Sequence, residues 1–238
     1  MKTAIITNAG SIYGKKVLND LLSVGITFDA IVVVKQPLLY YWKLFGYVRK
    51  AVGVINAALY SLEHLLSLAT AREPATWKGR PFVGDYDRIC PQVFYTNGTN
   101  TERTEMLLKK IGPDILILGQ VGIVGKRILA IPSKGTLNSH PGILPKYRGI
   151  DVHLWAIHND DYGNLGASVH WVDEGIDTGK IIRKDPYSVV KSDTLGTIFN
   201  NIENLSVSIL TETMASLVKG DLPDGVPQAP EDGKQYHK

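Results

Sequence analysis

The residues from 137 to 149 constrain the fold of this chain more than any other stretch. They follow an apolar run at 115–118 that is typical of a buried strand. Asn138 and His140 lie two positions apart, so their side chains leave an extended backbone on the same face. Pro141 lacks an amide hydrogen and restricts the preceding residue to extended conformations, so the strand should end near His140. An amide and an imidazole are therefore expected side by side at a strand's carboxyl end, where open α/β sheets bind ligands.

Apolar strand segments alternate with amphipathic helical segments along much of the chain. The predicted strands cover residues 4–7, 28–34, 93–95, 114–119 and 167–172, with further strand pieces at 179–183 and 187–190, and the predicted helices cover 15–24, 101–111, 151–158 and 193–218. The first strand, a glycine-containing turn and the first helix form the start of a Rossmann-like unit. The pattern predicts an α/β fold with an open, mostly parallel sheet and helices on both faces.

A long connection follows the second predicted strand. Residues 36–72 exceed an ordinary connection and read as a helical insertion that packs on the domain and covers the active site. Contact of residues 38–72 with a membrane surface is the alternative, because the segment mixes aromatic and basic side chains. We expect a domain over residues 1–220, including this insertion, and a C-terminal tail over 221–238.

A second polar feature follows the strand predicted at 167–172. His170 should face the same side as the acidic, glycine-bounded loop that presents Asp177. A histidine exchanges protons near neutral pH, and an amide can donate to an oxygen that becomes negative, which together suit attack of an amine on a carbonyl carbon. The alternatives are a polar strand end beside a proline-rich turn for the first feature, and a turn-capping residue for Asp177.

Two stretches resemble the folate-dependent formyltransferases. They are N-S-H-P-G-I-L-P-K-Y-R-G at 138–149 and G-A-S-V-H-W-V-D-E-G-I-D-T-G-K-I-I at 166–182. The family includes glycinamide ribonucleotide, methionyl-tRNA and nucleotide-sugar N-formyltransferases. The resemblance implies the formyltransferase form of the Rossmann-like fold, with 10-formyltetrahydrofolate as formyl donor. It also implies catalytic roles for Asn138, His140 and Asp177, with Asp177 keeping His140 cationic and His170 orienting that carboxylate.

The resemblance extends to binding residues. The folate should contact a loop mainly through its backbone, which implicates Gly119, Val121, Gly122, Ile123 and Val124, together with Asp173 and Gly175. The amine substrate is assigned Gly10 and Ser11, which match a phosphate-holding turn only in part, and Lys146 and Arg148. A simple tight turn at Gly10 and a plain glycine-rich connection at 120–125 are the alternatives. No metal ligands are expected.

The identity of the amine is the most open question. The K-Y-R-G ending at 146–149 is closer to the sugar and tRNA enzymes, and the tail is too short for the extra domain of the tRNA enzymes. A nucleotide-linked amino sugar is therefore expected first and glycinamide ribonucleotide second. A formyltetrahydrofolate hydrolase and a non-catalytic folate or nucleotide binder are further alternatives, although binding alone does not need all three catalytic residues.

Composition limits the remaining classes. The hydrophobic fraction of 44% is enough for a real core, and a net charge of +3 is too small to indicate nucleic acid binding by itself. The single cysteine, Cys90, excludes an internal disulfide and fits a reducing compartment. We therefore expect a cytoplasmic enzyme that acts on a small molecule, without a nucleic acid partner.

Overall fold

The computed structural model describes residues 1–35, 73–221 and 223–236. The strands are β1 Thr3–Asn8, β2 Ala30–Val34, β3 Thr76–Trp77, β4 Arg80–Pro81, β5 Val93–Thr96, β6 Ile115–Gly119, β7 Gly135–His140, β8 Tyr147–Gly149, β9 Gly166–Trp171, β10 Ile181–Pro186 and β11 Lys234–Tyr236. The helices are α1 Ile12–Ser23, α2 Tyr86–Ile89, α3 Glu102–Ile111, α4 Lys126–Leu129, α5 Val152–His158 and α6 Leu195–Val218, with 3₁₀ turns at Tyr162–Asn164 and Pro230–Asp232. The predicted helical insertion and its alternative of membrane contact, both at 36–72, lie outside the described residues.

Seven strands form one sheet in the order β10-β9-β7-β6-β1-β2-β5. The five strands from β7 to β5 run parallel, whereas β9 is antiparallel to β7 and β10 is antiparallel to β9. The prediction of a Rossmann-like, mostly parallel α/β sheet is confirmed. Because parallel strands all end at one edge, the loops after β1, β6 and β7 meet there.

Alternating residues of each central strand face two separate cores. On one face, Ile5 and Ile117 pack with side chains of α1 and α6, including Leu18 and Leu210. On the opposite face, Ile6, Leu116 and Leu118 pack with Leu108 of α3 and Ile128 of α4. The central strands are apolar without alternation because both of their faces are covered by helices.

Several element boundaries differ from the sequence prediction. Helix α1 begins at Ile12 rather than residue 15, because the Ser11 side chain caps it by accepting from the Gly14 amide. The long helix α6 begins after Thr194, which forms a capping box with Thr197. The strand predicted at 187–190 is absent, and the edge strand β10 covers 181–186 instead.

The residues beyond α6 pack on the rest of the protein. We call residues 223–236 the C-terminal segment. Its strand β11 pairs in parallel with β8, and the Tyr236 ring stacks on Tyr147 with 5.3 Å between ring centroids. The Trp155 ring of α5 lies 5.0 Å from the Tyr236 ring. The two-stranded sheet of β8 and β11 thus holds β8, the strand that follows the predicted catalytic strand β7 in the sequence.

Across the part of the chain that the structure describes, no helix combines the length and the apolar character needed to cross a bilayer.

Candidate active site

The polar side chains singled out in the sequence meet at the carboxyl end of β7. Asn138 lies opposite His170 and His140 opposite Ser168 in the antiparallel pairing of β7 with β9. Directly opposite residues of an antiparallel pair share one face of the sheet, so these four side chains point the same way. The sheet therefore places His170 beside the amide of Asn138.

Asp177 reaches this group from the loop between β9 and β10. Its backbone is left-handed, with φ of 53°, which turns the side chain back toward the sheet. One carboxylate oxygen lies 3.4 Å from His140 Nδ1 and accepts from the Gly149 amide at 2.9 Å. The other oxygen lies 3.5 Å from His170 Nε2. We call Asn138, His140, His170 and Asp177 the polar cluster.

The hydrogen bonds of His170 define which ring nitrogen carries the hydrogen in the neutral ring, and they orient Asn138. His170 Nδ1 lies 2.8 Å from the Trp171 carbonyl oxygen, which only accepts, so Nδ1 carries the hydrogen. In the neutral ring, Nε2 is then an acceptor and takes a hydrogen bond from Asn138 Nδ2 at 3.2 Å. One imidazole thus contacts both the amide and the carboxylate of the polar cluster.

His140 is more deeply buried than Asn138 and Asp177, the other two predicted catalytic residues. Only 3% of its surface is exposed, and Nε2 donates to the Tyr147 carbonyl oxygen at 2.9 Å. Burial lowers the pKa of His140, although the Asp177 carboxylate opposes this shift. Both ring nitrogens face oxygen acceptors, the Asp177 carboxylate and the Tyr147 carbonyl, and the expectation of a cationic His140 stays a prediction.

Asp177 is ionised in the same arrangement. Burial opposes its ionisation, but the two imidazoles and the Gly149 amide outweigh burial and hold the pKa of Asp177 well below its usual range. Its side chain retains 15% exposure, and Asn138 is half-buried. Asn138 and Asp177 are thus the members of the polar cluster that a reactant meets first.

The residues predicted to hold folate lie on two neighbouring loops. In the β6 loop (residues 120–125), Val121 and Val124 are buried in the core, whereas Ile123 is 69% exposed. Gly119 ends β6, and Gly122 has a positive φ of 73°. The Asn100 side chain holds this loop by donating to the Ile123 carbonyl and accepting from the Gly125 amide. The backbone of the loop is therefore fixed from outside.

The acidic loop (residues 172–180) carries the other two predicted folate residues. The Asp173 carboxylate accepts from the Gly175 amide at 3.1 Å and from the Thr178 hydroxyl at 2.6 Å, which closes a turn that contains Asp177. Glu174 pairs with Lys126 of α4 at 3.3 Å. This contact links the acidic loop to the helix that follows the β6 loop, so the two loops border the same region.

Gly10 and Ser11 lie at the same edge of the sheet, after β1. The Ser11 hydroxyl caps α1 and donates to the Gln120 side chain at 2.9 Å, whereas Gly10 is exposed. The turn after β1 is thus joined to the β6 loop. The hydroxyl of Ser11 is already engaged within the protein.

The structure does not bring Lys146 and Arg148 to the polar cluster. Lys146 is paired with Asp161 at 2.6 Å. Arg148 is 5% exposed, and its guanidinium donates to the Gln228 side chain and to the Ala229 carbonyl. Arg148 is thus covered by the C-terminal segment in this structure, and its contact with the substrate stays a prediction.

Sequence reasoning missed the contacts that complete the site. The Tyr147 carbonyl and the Gly149 amide are backbone groups, which carry no sequence signal of their own. Gln228 also escaped notice, although its side chain donates to the carbonyls of Asp177 and Gly179 at 3.0 and 2.5 Å. It lies in a stretch without periodicity, so no pattern could have marked it.

Two clefts open elsewhere on the described surface. One, of about 430 Å³, is lined by Lys146, Tyr147, Asn159, Asp160, Asp161 and Tyr236. The other, of about 230 Å³, lies between the start of α3 and the start of α4. Neither is lined by a member of the polar cluster.

Known proteins of similar sequence include methionyl-tRNA formyltransferases. The methionyl-tRNA formyltransferase of Halothermothrix orenii is 30% identical over 174 residues, which cover 69% of this chain and 54% of that protein. This chain spans about half the length of the curated relatives it matches.

Solved structures share the fold. Glycinamide ribonucleotide transformylase 1 from Symbiobacterium toebii matches with a TM-score of 0.60 at 16% identity, over 92% of this chain and 88% of that one. A sugar N-formyltransferase from Shewanella sp FDAARGOS_354 matches with a TM-score of 0.61 at 17% identity, over 99% of this chain and 76% of that one. The family model described as formyl transferase matches residues 1–214. The chain therefore belongs to the formyl transferase family, as the two sequence motifs predicted.

Proposed function

We propose that this chain transfers a formyl group from 10-formyltetrahydrofolate to the primary amine of a small molecule. The observation that carries the proposal is the position of the Asp177 carboxylate, 3.4 Å from His140 and 3.5 Å from His170, beside the amide of Asn138. A folate or nucleotide binder would not need an ionised carboxylate held between two imidazoles next to an oriented amide.

The reaction needs a group that stabilises negative charge and a group that moves a proton. The amine nitrogen attacks the formyl carbon, and the formyl oxygen becomes negative. The half-buried Asn138 amide is placed to donate to this oxygen. The bond from the formyl carbon to the folate nitrogen then breaks, which leaves a formamide and tetrahydrofolate.

One proton must pass from the attacking amine to the folate nitrogen. Asp177 is ionised and partly exposed, so it can accept this proton when the tetrahedral intermediate forms. The His140 ring faces the carboxylate with Nδ1, and it can share the proton there while Nε2 stays bonded to the Tyr147 carbonyl. His140 and His170 thus act from behind the carboxylate, while Asn138 and Asp177 meet the reactants.

The folate is assigned to the region between the β6 loop and the acidic loop. The resemblance assigns Gly119, Val121, Gly122, Ile123 and Val124 to pterin contact, and the external anchoring of this loop by Asn100 supports recognition through a fixed backbone. The turn closed by Asp173 and Gly175 borders the same region and leads directly into Asp177.

For the amine, we propose a nucleotide-linked amino sugar. The K-Y-R-G sequence at 146–149 supports this class, and the engagement of the Ser11 hydroxyl with Gln120 weakens the case for a phosphate held at that turn. Glycinamide ribonucleotide is the second candidate, because Gly10 and Ser11 still lie at the N-terminus of a 12-residue helix beside the site.

Formyl transfer is tested by incubating the chain with 10-formyltetrahydrofolate and single amines. The panel contains a nucleotide-linked 4-amino sugar, glycinamide ribonucleotide, methionyl-tRNA and a sample without amine. Release of tetrahydrofolate is followed by absorbance and the formamide by mass spectrometry. We expect one formamide for each tetrahydrofolate released, and only with the amino sugar.

Each other outcome contradicts a defined part of the proposal. Turnover with glycinamide ribonucleotide or methionyl-tRNA alone would replace the proposed amine, and donor consumption without any amine would identify a hydrolase. Folate binding without turnover with any amine would overturn the assignment as an enzyme in favour of a binder. Asp87→Asn is the matched control for variants of the polar cluster, because Asp87 is exposed on the short helix α2.

A further inference from the structure

Gln228 of the C-terminal segment uses its whole amide group to join two parts of the protein. Its oxygen accepts from Nε and Nη2 of Arg148 at 3.2 and 3.1 Å. Its nitrogen donates to the carbonyls of Asp177 and Gly179 at 3.0 and 2.5 Å. The amide therefore connects β8 to the short stretch of the acidic loop that carries the Asp177 carboxylate.

This stretch needs support from its surroundings for an unusual conformation. Asp177 adopts φ of 53°, a left-handed conformation that a residue other than glycine keeps only where its surroundings hold it there. The Gly149 amide holds the carboxylate, but the backbone of the same residue is held by the Gln228 side chain. The two contacts act on opposite ends of Asp177, so together they set where its carboxylate lies.

The C-terminal segment holds Gln228 in place from both directions. On one side, Val226 forms an antiparallel bridge with Ile181 of β10. On the other side, β11 pairs with β8, and a Cβ at Gly149 would meet the backbone of Tyr236. The same three residues of β8 thus contact His140, Asp177 and the C-terminal segment.

We propose that Gln228 is a positioning residue of the active site, through which the C-terminal segment sets the place of the Asp177 carboxylate relative to His140. This inference rests on the proposed formyl transfer. It assigns Gln228 no contact with either reactant, and its effect passes entirely through Asp177.

A merely structural role for Gln228 would be to anchor the C-terminal segment to Arg148. The variant Gln228→Glu separates the two roles, because a carboxylate still accepts from the guanidinium of Arg148 but cannot donate to the carbonyls of Asp177 and Gly179. It also sets an anionic oxygen against these two carbonyl oxygens. Gln228→Ala removes both sets of hydrogen bonds.

The experiment compares both variants with the wild-type chain and with Gln235→Glu, a matched control at an exposed position of the same segment. We expect kcat to fall about 10- to 100-fold in both Gln228 variants, since a misplacement of about 1 Å costs rates of this order. KM for 10-formyltetrahydrofolate should change less than about threefold, because the turn with the predicted folate residues Asp173 and Gly175 keeps its own hydrogen bonds and the β6 loop keeps those from Asn100. Gln235→Glu should match the wild type.

A second readout does not depend on the reaction. NMR follows the titration of the His140 imidazole, assigned with His140→Gln. Departure of the Asp177 carboxylate lowers the pKa of His140 further, since that carboxylate favours the charged ring. We therefore expect a lower His140 pKa in Gln228→Glu than in the wild type or in Gln235→Glu. His170, which also faces Asp177, is monitored in the same spectra.

The two ideas fail in different ways. If Gln228→Glu keeps wild-type kcat and leaves the His140 titration unchanged, Gln228 only anchors the segment and the inference is overturned. If the wild-type chain transfers no formyl group while Gln228→Glu still shifts the His140 titration, the positioning contact stands and the proposed function is wrong. Circular dichroism and thermal unfolding verify that each variant is folded.

Discussion

Replacing Asp177 by asparagine tests the proposed chemistry with the smallest change in shape. The asparagine oxygen can still accept from the Gly149 amide, which the aspartate contacts at 2.9 Å, and the side chain keeps its volume. What disappears is the negative charge between His140 and His170 and the capacity to take up a proton. The variant should therefore fold while losing most of its turnover.

The expected magnitude follows from these contacts. A positioned acid or base contributes about 10²- to 10⁴-fold to the rate, which corresponds to about 2.7–5.4 kcal/mol of barrier at 1.36 kcal/mol per tenfold change. A hydrogen bond to a charged group contributes about 1.5–3 kcal/mol to stability, and removal of a buried charge offsets part of this loss. We expect a fall in kcat of at least about 100-fold and a loss of unfolding free energy below about 3 kcal/mol.

The assay measures kcat and KM with the amine identified in the panel, alongside Asp87→Asn as the control. KM for 10-formyltetrahydrofolate should stay within about threefold, because the Asp177 side chain contacts the two imidazoles and β8, whereas the folate is assigned to the β6 loop and to Asp173 and Gly175 of the acidic loop. If folded Asp177→Asn keeps kcat within about threefold of the wild type, the carboxylate takes no part in proton transfer and the proposed mechanism is refuted.

Three further predictions concern stability and folate binding. Burial lowers the pKa of His140 and His153, so below the ordinary pKa of about 6.5 the unfolded chain binds more protons than the folded protein. The unfolding free energy should therefore fall as pH drops through this range. Denaturant unfolding at several pH values should show a weaker dependence of this free energy on pH in the His140→Gln/His153→Gln double variant. Gly149→Ala should lower the unfolding free energy by about 1–3 kcal/mol or more, because φ of Gly149 is 102° and the new Cβ would meet the backbone of β11. Gly163→Ala serves as the control, because a Cβ at Gly163 has open space around it. Asn100→Ala removes both hydrogen bonds between the Asn100 side chain and the β6 loop. KM for 10-formyltetrahydrofolate should therefore rise about tenfold, with little change in kcat. An unchanged KM would show that the loop does not need this anchor.

The sequence predicts the parts of the site that depend on local chemistry. Pro141 ends β7 at His140, and the two-residue spacing places Asn138 and His140 on one face, as the structure confirms. Apolar central strands likewise predict a sheet that is covered on both faces. These features depend on backbone restrictions that act within a few residues of each other, so a single sequence contains them.

The remaining parts of the site depend on tertiary packing. The register between β7 and β9, which sets Asn138 opposite His170, arises from packing of whole strands and has no local signal. Arg148 illustrates the consequence, because its motif indicated a substrate contact, whereas the C-terminal segment covers it. That segment lacks hydrophobic periodicity, and its position is determined by partners that lie far earlier in the chain, such as Tyr147 against Tyr236.

The burial of the polar cluster has an energetic consequence for the proposed reaction. An ionised carboxylate with 15% exposure is costly to bury, and in this protein the Gly149 amide and the neighbouring imidazoles offset that cost during folding. The same donors are then already oriented when charge develops on a reactant, so little reorganisation is needed at that moment. Contacts that resist a conformational change keep these donors aligned. On the proposed mechanism, the contacts that Gln228 and Tyr147 make therefore affect the reaction, even though they lie behind the reactive side chains. The C-terminal segment, which lies outside the two family motifs, can in this way influence the rate of the reaction that the motif residues carry out.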